Sequence, residues 1–196
     1  MRASLLSLLV LTGCGSTMTP DAGVDPCAAP TKSPAVLINN PGFECGDDKP
    51  TGWNAIYGTV ERAPGEGRSG AAAKLVVGQA GGRFAYSTPI VSDGAGKTYC
   101  VQAWVKGTAP VVRSVLLSVA NGGGTQQRFA EPLDDQWQKT PPTNGLNLKV
   151  NSGESLQLFF EVDSAPGSQT AAKVGDVVYV DDVDVWVSSG QCDESR

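Results

Sequence analysis

Beyond residue 34 the chain falls into short runs whose apolar residues stand together or alternate with polar ones. Gly, Pro, Asn and Asp separate the runs, and no run holds a helical period. The pattern predicts strands over 35–39, 56–61, 72–78, 83–91, 97–106, 111–120, 125–130, 136–140, 145–150, 154–162 and 177–187. Asn121-Gly122-Gly123-Gly124 and the segment 164–175 read as surface loops. Many short strands divided by turn residues at this spacing imply two packed antiparallel sheets, a β-sandwich or jelly roll of all-β class.

Alternation also assigns faces, because successive strand residues point to opposite sides. Over 154–162, Leu156, Leu158, Phe160 and Val162 form a core face, which leaves Gln157, Phe159 and Glu161 on the other. A phenylalanine set between an amide and a carboxylate suits a sugar, which offers apolar C–H faces and a rim of hydroxyls. Similar chemistry recurs near Arg83-Phe84-Ala85-Tyr86 and near Gln126-Gln127-Arg128-Phe129, where Arg83 and Gln127 stand close to Phe84 and Phe129. The four tryptophans, Trp53, Trp104, Trp137 and Trp186, are read as packing residues. Over 177–187, Val177, Tyr179, Asp181, Val183, Val185 and Val187 share one face, and Asp182 and Asp184 share the other. Asp181 is then a carboxylate on an apolar face. It needs a cation, an Arg or Lys, or a set of N–H donors, and a Ca²⁺ ion would serve.

Composition narrows the partner. The 196 residues fit one domain with a tail, and 24 Gly and 13 Pro agree with many turns. A net charge of −5 argues against nucleic acid, which selects basic patches, and favours a neutral ligand such as a glycan. There is no histidine, so a bound metal would have oxygen ligands, which points to calcium.

The first residues look like an address. Met1-Arg2 is followed by an apolar run from Ala3 to Thr12, too short for the roughly 20 residues that span a bilayer. Leu11-Thr12-Gly13-Cys14 then resembles a bacterial lipobox. The resemblance implies cleavage before Cys14 and acylation of its sulfur, and two or three acyl chains anchor a protein stably. Gly15, in place of the aspartate that retains lipoproteins at the inner membrane, favours the outer membrane. The expected organisation is a signal peptide at 1–13, lipidated Cys14 and a Pro-rich tether at 14–34, the sandwich at 35–188 and a tail at 189–196. Cys27, Cys45, Cys100 and Cys192 remain, and an even number in an exported chain suggests two disulfides among three possible pairings. Cys27–Cys192 with Cys45–Cys100 is preferred, since the first bond would staple the two ends of the sandwich.

Asn39-Asn40-Pro41-Gly42-Phe43-Glu44, Gly52-Trp53, Arg68-Ser69-Gly70, Thr98-Tyr99, Ala103-Trp104-Val105, Trp137-Gln138-Lys139 and Tyr179-Val180-Asp181-Asp182-Val183 follow one another at ordinary spacing. Together they resemble the CenC-type carbohydrate-binding modules, relatives of families four, nine and twenty-two. The resemblance implies a jelly roll with a glycan groove on its concave sheet, lined here by Phe84, Phe129 and Phe159. It also implies a structural Ca²⁺ held by Glu44 and Asp181, with the Gly42 carbonyl and Glu66 or Ser69. The expectation is therefore a monomeric, non-catalytic, polysaccharide-binding lipoprotein. A structural or adhesive surface lipoprotein is the alternative. A glycosidase or lyase is the weaker one, because such enzymes set two carboxylates about 5–10 Å apart across a cleft. Glu161 and Asp163 lie instead on one face of one strand.

Overall fold

The computed structural model describes residues 37–78, 82–86, 90–91, 96–120, 123–163 and 171–192. The segments expected to be a signal peptide and a tether, with Cys14 and Cys27, lie outside them. Among the described residues twelve strands follow in chain order: β1 (Trp53–Ile56), β2 (Gly58–Pro64), β3 (Ala71–Val77), β4 (Arg83–Tyr86), β5 (Ile90–Val91) and β6 (Lys97–Gly107), then β7 (Val111–Ala120), β8 (Gly123–Pro132), β9 (Gln138–Thr140), β10 (Leu146–Val150), β11 (Ser155–Val162) and β12 (Val177–Ser188). The first sheet runs β1-β4-β11-β7-β8 with β5 beside β11, and the second runs β10-β6-β12-β3-β2 with β9 beside β6. Every pairing is antiparallel. This is the two-sheet sandwich that the alternation predicts.

The two inner faces bury Leu75, Val101, Val105, Leu116, Leu156, Leu158 and Val180 among others. At one end, Phe43, Trp53, Phe84 and Phe160 close the core as an aromatic cluster. Phe84 stacks on Phe160 with ring centroids 5.2 Å apart, and Trp53 lies 5.1 Å from both Phe43 and Phe84. Burying rings of this size dominates the hydrophobic gain of a small sandwich.

Two strand expectations are corrected. Residues 37–39 form no strand; Leu37 donates a single backbone hydrogen bond to Val185 O. The short strand β1 was not expected, since four residues after Gly52 carry too little alternation to be read.

The face assignment in β12 also changes. Val178 and Val180 are core residues, and so are Val183 and Val185. One extra residue is accommodated between Asp181 and Asp184, opposite Trp104 and Gln102, and Asp182 adopts φ 46°. A β-bulge of this kind reverses the alternation on either side of it. Val177, Tyr179 and Asp181 therefore stand on the outer face of the second sheet, not on the core face.

The disulfide preference is overturned as well. Cys100 bonds Cys192 across 92 residues of chain, with Cα atoms 5.8 Å apart. Cys100 points outward from β6 beside Trp186, and the segment after β12 folds back over both. Cys45 is disulfide-bonded too, so its partner lies outside the described residues. Both bonds of the preferred pairing are thereby excluded. Replacing Cys100 and Cys192 by serine should cost about 2–5 kcal/mol, as loss of a native bridge does in small exported domains, and urea unfolding would measure it. A variant with unchanged stability would show that the core alone fixes the end of β12.

Candidate functional site

Strand β11 places Gln157, Phe159 and Glu161 on the outer face of the first sheet, away from Leu156, Leu158 and Phe160. Cross-strand register extends this face in rows. Phe159 stands beside Ala85 on one side and Val115 on the other, with Asn54 and Arg128 beyond them. Glu161 stands between Arg83 and Arg113. The floor is apolar and closed: Phe159 is 6% exposed and Val115 is 0%. The Arg83 guanidinium lies over the Phe159 ring at 5.1 Å, a cation–π contact that also shields the ring. The rim is held by charge pairs, with Arg128 Nη1 2.9 Å from Glu161 and Arg113 Nη2 3.1 Å from Asp163. Arg128 also donates to Gln126 Oε1 at 3.1 Å. Such a surface offers planar, oriented donors beside an aromatic ring.

Four of the seven expected ligand residues, Arg83, Gln157, Phe159 and Glu161, are brought together here. Phe84 is not, for it pairs with Phe160 across β4 and β11 and is wholly buried in the core. Phe129 and Gln127 are not either. They stand opposite Ser114 and Leu116, which face inward; Leu116 belongs to the core, and the Ser114 hydroxyl is 3.2 Å from that of Thr140 in the second sheet. Their neighbours Gln126 and Arg128 take the outer positions. Arg113 and Asn54 join the face without a sequence expectation, while Gln126 and Arg128 belong to the string Gln126-Gln127-Arg128-Phe129 whose composition pointed to it. The alternation of Val112 and Leu116 as core positions in β7 was the signal for Arg113.

A second constellation lies where the loop before β1, the turn before β3 and the β12 bulge meet. Phe43 is buried at φ 57°, and the Asn40 side chain braces its loop, accepting from Cys45 N–H at 3.0 Å and donating to Cys45 O at 2.9 Å. Glu44 is thereby turned to the Ala71 N–H at 3.1 Å. Asp181 is fully buried, its two oxygens each 2.7 Å from an N–H, those of Arg68 and Asp182. The need for donors read from the sequence is real, although loops rather than the core do the burying. Asp182 pairs with Arg68 Nη1 at 2.6 Å.

Gly42 stands among these acids, since a Cβ there would come within 3.9 Å of Asp181 and Asp182 oxygens and 4.0 Å of the Glu44 side chain. At Gly70, where φ is +84°, a Cβ would lie 2.3 Å from Glu44 Oε1. Burial, chiefly, pushes the Asp181 carboxyl from 3.8 up to about 6; the charges of Asp182 and Glu44 add to this, and the two N–H bonds oppose it. Among the described residues no three acids form a ready-made metal cage. The oxygens gathered here are of the kind a hard cation takes, and each acid already has a partner: Arg62 Nη2 lies 3.8 Å from Glu44, Arg68 pairs with Asp182, and two N–H groups hold Asp181. Glu66 turns elsewhere, its carboxylate 3.7 Å from Lys106 Nζ, and Ser69 is exposed in the turn.

No protein-family model matches the sequence, and no curated protein matches it. Solved structures do share its fold. A family 61 carbohydrate-binding module in complex with β-1,4-galactotriose is 18% identical, covers 78% of this chain and 99% of its own, and superposes with a TM-score of 0.53. The tandem family 22 modules of Xyn10C from Paenibacillus barcinonensis are 20% identical over 82% of this chain and 51% of theirs, with a TM-score of 0.58. An arabinose-bound α-L-arabinofuranosidase also matches, at 14% identity and a TM-score of 0.52, but over only 27% of its length. At such identities the likeness is one of fold: the chain has the jelly-roll β-sandwich architecture of the carbohydrate-binding modules.

Proposed function

We propose that the chain binds polysaccharide without catalysing its cleavage, through the outer face of the first sheet, as a lipoprotein held to the cell envelope at Cys14. The observation that carries this reading is the gathering of Phe159, Arg83, Gln157 and Glu161 on one face with Arg113, Arg128 and Gln126. The face supplies donors, acceptors and an aromatic ring, the combination a glycan requires. Glu161 and Asp163 are each tied to an arginine, which suits them to hydrogen bonding better than to proton transfer. A structural Ca²⁺ between Glu44 and Asp181 completes the reading, fixing the loop before β1 against the bulge of β12. The low exposure of Phe159 favours a second reading, an adhesive lipoprotein that uses this face for protein contacts.

A glycan array probed with the full chain in millimolar calcium separates the two. Binding to β-glucans or xylans that Phe159→Ala abolishes is the expected result. A blank array would transfer support to the adhesive reading.

A further inference from the structure

The opposite side of the sandwich carries a pocket that the reading above does not use. On the outer face of the second sheet Tyr179 stands beside Lys106, and the segment after β8 folds over the end of β6. Gly107 N–H donates to Asp134 O at 2.8 Å, and Thr108 N–H to Val177 O at 2.9 Å, so backbone bonds fix the walls. Between them lies a pocket of about 170 Å³ lined by Lys106, Gly107, Thr108, Asp135 and Tyr179. The Lys106 ammonium is held in place between two rings, 4.9 Å from Trp137 and 5.0 Å from Tyr179, with Glu66 at 3.7 Å. Gly107 permits the close approach of β12 that forms this end of the pocket, since a Cβ there would strike Val177 O.

We propose that this pocket binds one neutral monosaccharide unit, as a second carbohydrate contact independent of the Phe159 face. Its volume is below the roughly 300–1,000 Å³ of pockets for larger ligands and suits a single sugar ring. Tyr179 and the Lys106 stem form an apolar wall against which a sugar C–H face can lie. The polar groups are mixed. Asp135 accepts from Gln136 on one oxygen, at 3.1 Å, and its other oxygen has no partner among the described residues. Thr108 Oγ1 accepts the Val177 N–H at 2.9 Å and keeps its own proton for a ligand. Asp135 disfavours an anion and Lys106 a cation, whereas sugar hydroxyls both give and accept hydrogen bonds and satisfy both groups.

The test is saturation-transfer NMR on the full chain with D-galactose, D-glucose and D-xylose, followed by titration of whichever binds. Transfer to at least one sugar is expected. Asp135→Ala, a change on an exposed loop, should weaken it by about tenfold or more, the usual worth of a hydrogen bond to a charged group. The part of the transfer that depends on Asp135 should persist in Phe159→Ala. Transfer to none of the three sugars, or transfer that Asp135→Ala leaves intact, overturns the pocket assignment. If Phe159→Ala alone removes the transfer, the sugar sits on the first sheet, and the proposed function survives without the second site. If polysaccharide binding fails while Asp135-dependent transfer persists, the second site stands without the first.

Discussion

Chelating calcium should lower the melting temperature of the full chain at pH 7, and the loss should shrink as the pH is brought toward 4.5. Asp181 carries this expectation. Its carboxyl in the fold sits at about 6 against an ordinary 3.8, so the fold favours the neutral form. In metal-free protein the stability it contributes is complete below about pH 4 and is lost as the pH rises through 6. At about 1.4 kcal/mol per unit, the loss approaches 3 kcal/mol.

A cation reverses the slope, because it binds the ionised carboxylate, so that calcium stabilisation grows with pH. A site of about 10⁻⁴ M, in the extracellular range, would gain roughly 2 kcal/mol from a few millimolar ion. Two other acids bend the baseline. Burial raises Glu131, in the same sense as Asp181, while the Ser118 hydroxyl and the Asn151 amides lower Glu154, in the opposite sense. Neither stands at the Gly42 cluster, so Asp181→Ala should remove the calcium response and leave their contributions. Calorimetry in chelator and in calcium at pH 4.5 and 7 makes the comparison. Superimposable curves at pH 7 would sink the metal site.

Two phenylalanines that look alike in sequence should separate completely. Phe84→Ala removes a wholly buried ring that stacks on Phe160 and meets Trp53 at a tilt, and should cost about 3–5 kcal/mol while leaving polysaccharide affinity per folded molecule unchanged. Phe159→Ala should do the reverse, abolishing binding at a smaller cost in stability, since its ring lies on the outer face beside Arg83 and outside the main core cluster. Urea titration of each variant, paired with affinity electrophoresis in soluble β-glucan or xylan, reads both quantities. Loss of binding in folded Phe84→Ala would mean that the core, not the outer face, determines recognition.

Particular residues show why parts of this were legible and others not. The run 154–162 is regular, so counting by two placed Phe159 and its polar neighbours correctly. In β4 the composition around Arg83 and Phe84 carries no information on facing, and the pairing with β11 turns Phe84 inward. In β12 counting itself misled, because the bulge at Asp182 inserts a residue that no period reveals. The charge partners of Glu161 and Asp163 come from strands far away in sequence, and only cross-strand register brings Arg128 and Arg113 to them. Pairing of the cysteines fails for the same reason: whether Cys100 faces in or out depends on its sheet position. The Gly42-Phe43-Glu44 segment was legible through its resemblance to the family motif alone, and the buried Phe43 with the Asn40 side chain shows what fixes its geometry.

The most direct measurement is isothermal titration of the full chain with the polysaccharide that scores highest on the array, in calcium, beside Gln157→Ala and Arg83→Ala. Saturable binding without release of reducing ends, weakened about tenfold or more by Arg83→Ala and severalfold by Gln157→Ala, is the predicted result. Binding that neither substitution alters, or steady release of reducing ends from the wild-type protein, would contradict it.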